Sequence, residues 1–162
     1  MPLAAVLIVV ATLLSGQTKA STIDLNGTWK MIPDRSGSPT QTPPVNDMTL
    51  NVASTSDEVR LEWLSGTDQP GPVIYPMVAM PKQPADPLGA DAKRAYWDGN
   101  HLVLERGGVI SGQTVSLKQS LTLDTEHNEL IVERLVIVQH GYTLKGTPNY
   151  ATVKDVFTRA PQ

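Results

Sequence analysis

The stretch Leu117-Lys118-Gln119-Ser120-Leu121-Thr122-Leu123-Asp124-Thr125-Glu126-His127-Asn128-Glu129-Leu130-Ile131-Val132 decides the fold. Leu117, Leu121 and Leu123 alternate with Lys118, Ser120 and Thr122, a period of two that sets one row of side chains against a core and the other toward water. Residues 124–128 break the pattern with turn-forming types, and an apolar run restarts at Leu130. Strand, short turn and strand at hairpin distance predict an antiparallel pair. Over residues 130–138 only Glu133 and Arg134 are polar, which predicts a strand covered on both faces.

The same pattern extends outward in both directions. Upstream, Met48, Leu50 and Val52 alternate with Thr49, Asn51 and Ala53, and Val59, Leu61 and Trp63 alternate with Arg60 and Glu62. Leu102 and Leu104 alternate with His101 and Glu105 after the turn Asp98-Gly99-Asn100. Strand starts are expected near Trp29, Met48, Val59, Val73, Ala92, His101, Val115, Leu130 and Tyr150. Only residues 90–96 have the makings of a helical turn. The fold class is therefore all-β: a single antiparallel up-and-down β-barrel of eight or nine strands, with neighbours paired in sequence order. Closure removes exposed sheet edges, which favours the barrel over the alternative, a two-sheet β-sandwich.

Between residues 69 and 87 the chain carries six of its 13 prolines. Proline donates nothing to a β-ladder, so residues 73–80 are expected to be an edge or irregular strand and the weakest point of closure. The segment is apolar all the same, with Val73, Ile74, Tyr75, Met77, Val78 and Met80. It suits a lid over a cavity, a plug inside one, or a partner surface.

Composition narrows the function. Thirteen basic against 16 acidic side chains, a net charge of −3, offer no surplus for nucleic acid. With no Cys, disulfides and thiolate chemistry are absent. Residues 3–14 are apolar apart from Thr12, and a polar stretch with Thr18 and Ala20 follows, so residues 1–20 read as a signal peptide. Residues 21–162 then form the one barrel domain, secreted or periplasmic, with no membrane span. Oligomeric state is open.

Three segments carry a family resemblance. Leu25-Asn26-Gly27-Thr28-Trp29-Lys30, Tyr96-Trp97-Asp98-Gly99-Asn100-His101-Leu102-Val103 and Val156-Phe157-Thr158-Arg159 resemble secreted bacterial lipocalin-like proteins of the calycin type. Gly27-Thr28-Trp29 is similar to the Gly-x-Trp motif that opens lipocalin barrels. Arg159 is similar to the basic residue that the last strand places beside that Trp. The resemblance implies that Gly27, Trp29 and Arg159 close the barrel, and it implies carriage of a small ligand. A guanidinium over an indole is favourable on physical grounds alone.

The residues offer little chemistry. There is no Gly-x-Ser-x-Gly and no phosphate-binding loop, so no catalytic residues are assigned and an enzyme is not expected. His101, His127 and His140 are the only imidazoles, and none shares a strand face with another ligand at metal spacing. No metal and no cofactor are expected, His127 reads as solvated in its turn, and Arg35 reads as a turn residue of little energetic weight. Gln119, Arg134 and Asp155 fall in phase with apolar neighbours and need partners if they point inward, either one another or a ligand. The expected function is non-catalytic binding of a small apolar or amphipathic molecule in the barrel. Leu61, Trp63, Tyr75, Met77, Gln119, Leu121 and Arg134 are the candidate ligand contacts. The alternative is a structural or protein-interaction module with a filled barrel.

Overall fold

The computed structural model describes residues 23–42, 44–66, 70–81, 88–110, 112–139 and 150–161. The expected signal peptide, His140 and the Pro84 to Pro87 part of the proline-rich segment lie outside the described residues. Among the described residues nine strands form: β1 Gly27–Met31, β2 Thr49–Ser54, β3 Glu58–Leu64, β4 Val73–Pro76, β5 Lys93–Asp98, β6 His101–Ile110, β7 Gln113–Asp124, β8 Glu129–Gln139 and β9 Tyr150–Arg159. Each begins within 2 residues of the position that alternation marks in the sequence.

They join in one sheet ordered β4-β3-β2-β1-β9-β8-β7-β6-β5, and each neighbouring pair in this order is antiparallel. A single nine-stranded sheet curling on itself excludes the sandwich. Its two ends meet where β4 runs into Met77, which forms a lone bridge with Ala95 of β5, and Val78 N–H donates to Ala95 O at 2.8 Å. That bridge is parallel, which corrects the expectation that all sequence neighbours pair antiparallel. The reason is arithmetic. Strands that alternate direction around a ring of nine must leave one adjacent pair pointing the same way, and a parallel pair needs a long crossover. The misfit falls where prolines already weaken the ladder, and the barrel is nearly closed.

Two further expectations are corrected. The outer row of β8 is not covered, since Glu133 and Ile137 are exposed: a barrel has one interior, so only the row Leu130, Val132, Arg134, Val136 faces it. Residues 90–91 form a turn with Asp91 at φ 66°, and β5 follows directly, so no helical turn forms. The backbone of residues 88–89 packs onto β6 at Gly107, where a Cβ would lie 2.1 Å from Gly89 O.

Strands β6 to β9 are 10 to 12 residues long and β1 to β5 only 4 to 7. The register aligns both sets at the end where β1 starts and β9 finishes, so the long strands project at the other end. The core fills the aligned end, around Trp29, Leu50, Leu61, Leu102, Leu121 and Phe157. Where β1 stops, the chain continues beside β9: Ile32 N–H donates to Val156 O at 2.7 Å and Gly37 N–H to Lys154 O at 2.8 Å. Gly37 is the crossing point, because a Cβ there would meet Val153 Cγ2 at 2.9 Å. One residue later Ser38 is buried on the inner side.

Candidate functional site

At the closed end Trp29, on β1, and Arg159, on β9, stand opposite each other in register. The Arg159 guanidinium carbon sits 4.3 Å from the centroid of the Trp29 ring. Its Nη1 donates to Asn26 O at 2.6 Å and its Nη2 to Asp24 O at 3.2 Å, while Trp29 Nε1 donates to Leu25 O at 2.9 Å. Gly27 adopts φ +130°, and a Cβ there would stand 3.0 Å from Arg159 Nη1. The motif needs glycine for both reasons.

Above the core the interior turns polar. Asp155 is 0% exposed on the same face of β9 as Phe157. It accepts from Ser38 N–H at 2.9 Å and Ser38 Oγ–H at 2.7 Å, and pairs with the Arg134 guanidinium. Arg134 Nη2 also donates to Ser38 Oγ at 2.6 Å. A buried carboxylate is tolerable because three donors meet it, one of them the Arg134 cation. Arg134 lies opposite Gln119 in the β7–β8 register, and its guanidinium carbon is 5.3 Å from the Trp63 ring. Trp63 in turn meets Phe157 edge-on at 6.0 Å. Two buried atoms in this cluster have no hydrogen-bond partner: Gln119 Oε1, on a residue 3% exposed, and Arg134 Nε.

Those residues border a cavity of about 510 Å³ at the open end. Trp63, Val73, Leu117, Val136 and Val153 give it apolar walls, and Gln119, Arg134 and Arg106 give it polar points. All of these side chains on β3, β6, β7, β8 and β9 share the inward row with the core residues below them, so the cavity is the unfilled upper part of the barrel.

Of the seven candidate contacts, Trp63, Gln119 and Arg134 border this cavity. Leu61, Leu121 and Tyr75 belong instead to the packed cluster, and Met77 lies at the opposite end in a cleft with Ile23, Leu25 and Trp97. Burial pushes the Tyr75 phenol above its ordinary range, with Arg106 pulling partly back. On β5, burial and the neighbouring Glu105 carboxylate push Tyr96 up to about 12.

Three features escaped the sequence reading. Ser38 supplies two of the donors to Asp155, and nothing in its local sequence marks it. Arg35 is no idle turn residue: its Nη1 pairs with Glu129 Oε1 at 2.5 Å, and Glu129 is 8% exposed. Asp124, His127 and Glu129 converge, with one ligand atom from each within 4.8 Å of the others. The signal for that convergence was present, since Asp124 and Glu129 flank a four-residue turn and hence face each other.

No family model matches the sequence, and no curated protein matches it. Among solved structures, the chain is similar to apo lipid binding protein 8 of Caenorhabditis elegans, at 7% identity and a TM-score of 0.49 over 86% of this chain and 100% of that one. It is also similar to a zebrafish ileal bile acid-binding protein complexed with cholic acid, at 6% identity and a TM-score of 0.41 over 83% and 98%. Human cRBP IV matches at 10% identity and a TM-score of 0.41 over 85% and 99%.

Proposed function

We propose that the protein binds a small apolar or amphipathic molecule, without catalysis, in the open-end cavity. The observation that carries this reading is a hollow of about 510 Å³ with apolar walls and two buried, unpartnered polar atoms, Gln119 Oε1 and Arg134 Nε. Leaving such atoms unpaired costs about 1–3 kcal/mol each. A ligand that covers the apolar walls and meets both atoms recovers that cost as affinity and orientation. Export accompanies this reading: residues 1–20 act as a signal peptide, and the mature barrel works in a bacterial periplasm or outside the cell. N-terminal sequencing of secreted or periplasmic material checks this and is expected to begin near Ser21; intact Met1 overturns it.

Binding is tested with Nile red, a neutral apolar fluorophore, titrated against the folded protein. Saturable binding in the micromolar range is expected. Trp63→Ala weakens it at least fivefold, whereas Trp97→Ala, which alters the opposite end, leaves it within twofold. Circular dichroism establishes that both variants are folded. Absence of saturable binding to the wild type refutes the reading.

A second reading has its own observation. Ile74, Val78 and Met80 are 42%, 42% and 57% exposed along the broken β4 segment, a row suited to contact with another protein. It gains the lead if Nile red fails to bind while Met80→Lys and Val78→Lys shift the protein from oligomer to monomer in light scattering.

A further inference from the structure

Asp124 and Glu129 stand directly opposite each other where β7 turns into β8. Two carboxylates in that relation repel unless something positive lies between them. Each spends one oxygen on being held in place. Asp124 Oδ1 accepts the N–H groups of Glu126 at 3.0 Å and His127 at 3.3 Å, and Glu129 Oε1 takes the Arg35 guanidinium at 2.5 Å. The groups converge: Asp124 Oδ2 lies 2.9 Å from His127 Nδ1, and a carboxylate oxygen of Glu129 lies within 4.8 Å of a ligand atom of each. Glu129 is 8% exposed, and its Oε2 is buried with no hydrogen-bond partner. A half-paired carboxylate is thus sealed from water beside an imidazole and a second carboxylate.

We propose that Asp124, His127 and Glu129 bind a divalent cation of the zinc class on the outer face of this hairpin. One imidazole nitrogen and two carboxylate oxygens are a donor set such ions accept, with water completing the coordination. Calcium requires about 6–8 oxygen ligands and magnesium a near-ideal octahedron, which three donors on a turn do not supply. Metal–ligand bonds of about 2.0–2.2 Å hold tetrahedral donors about 3.4 Å apart, so the Asp124–His127 contact, now 2.9 Å, opens to admit the ion. His127 provides the movement, because it is exposed and carried by the turn. It coordinates through Nδ1 as neutral imidazole with Nε2–H toward solvent, and Asp124 Oδ2 exchanges its contact with His127 for the ion. Arg35 holds Glu129 from behind, as outer partners of metal ligands do. The ion staples the β7–β8 hairpin and, through Glu129 and Arg35, fastens the segment that crosses to Ser38.

The test is calorimetric titration of untagged protein with zinc chloride, alongside heteronuclear NMR. One zinc ion is expected to bind in the micromolar range, shifting resonances of residues 124–129 and raising Tm. His127→Ala weakens binding at least tenfold and leaves the metal-free fold unchanged, because that side chain is exposed on the turn. Glu129→Gln does the same; should it fail to fold, His127→Ala decides alone. His101→Ala leaves affinity unaltered. Absence of binding at millimolar zinc, zinc affinity retained in His127→Ala, loss of affinity in His101→Ala, or calcium binding as tightly as zinc each overturns the site.

Discussion

Arg159→Ala removes the clamp at the closed end of the barrel, and the structure sets its cost. Arg159 stacks 4.3 Å from the centroid of Trp29, a contact of about 0.5–2 kcal/mol depending on how dry it is. Its two hydrogen bonds end on the carbonyls of Asn26 and Asp24, both exposed residues, so water regains most of that part. The expected loss is about 2 kcal/mol, within a range of roughly 1–3. With a urea slope of about 1–3 kcal/mol per molar, the midpoint falls by about 1 M. Arg159→Lys keeps the charge but not the planar stack or the two-pronged donation, and it recovers less than half. Gly27→Ala supplies an internal check. In the wild type its Cβ meets Arg159 Nη1 at 3.0 Å and its φ of +130° is strained; in the Arg159→Ala background only the strain remains. The two changes must therefore couple, and a double-mutant cycle measures by how much. Arg60→Ala is the control, because among the described residues Arg60 forms its ion pair with Glu58 on an open surface. Urea midpoints equal for Arg159→Ala and Arg60→Ala, or strictly additive costs for Gly27→Ala and Arg159→Ala, refute the clamp.

Two more outcomes are expected. Asp155→Ala strands the Arg134 guanidinium and both Ser38 donors inside the barrel and costs about 3–5 kcal/mol in chemical denaturation; adding Arg134→Leu restores a good part, and no restoration contradicts the pairing. Tyr96 ionises near 10 in the unfolded chain and at about 12 in the barrel, so the stability it contributes is complete below pH 10 and is lost as the pH climbs toward 12. Tyr96→Phe is expected to flatten that alkaline decline, and an unchanged profile contradicts the assignment.

Strand existence was legible because a period of two is a local property: each of Leu50, Leu61, Leu102 and Leu121 announces its face through its immediate neighbours. The weak seam was legible too, since a proline removes a ladder donor wherever it sits. The parallel bridge at Met77 and Ala95 was not, because it follows from the parity of the whole ring and not from any one strand.

Depth along the barrel was the other property hidden from local reading. On β7 the residues Leu117, Gln119 and Leu121 belong to one inward row, and alternation treats them alike. Leu121 lies at the level of Val132 and packs into the core; Gln119, opposite Arg134, reaches the level where β1 has ended and, among the described residues, side chains line a cavity. What distinguishes them is the length of strands far away in the chain. β1 gives out at Met31 while β9 continues for seven residues beyond its last partner, Phe157, toward its start at Ala151 and Tyr150. The same mismatch explains why Leu61 and Leu121 are core and Trp63 and Gln119 border the cavity. It also explains Ser38, which lies beside β9 only because the chain leaving β1 runs on past that shortfall and crosses at Gly37. Cavity, polar cluster and crossing segment therefore have one origin: short strands paired with long ones, aligned at the clamped end and unmatched at the other.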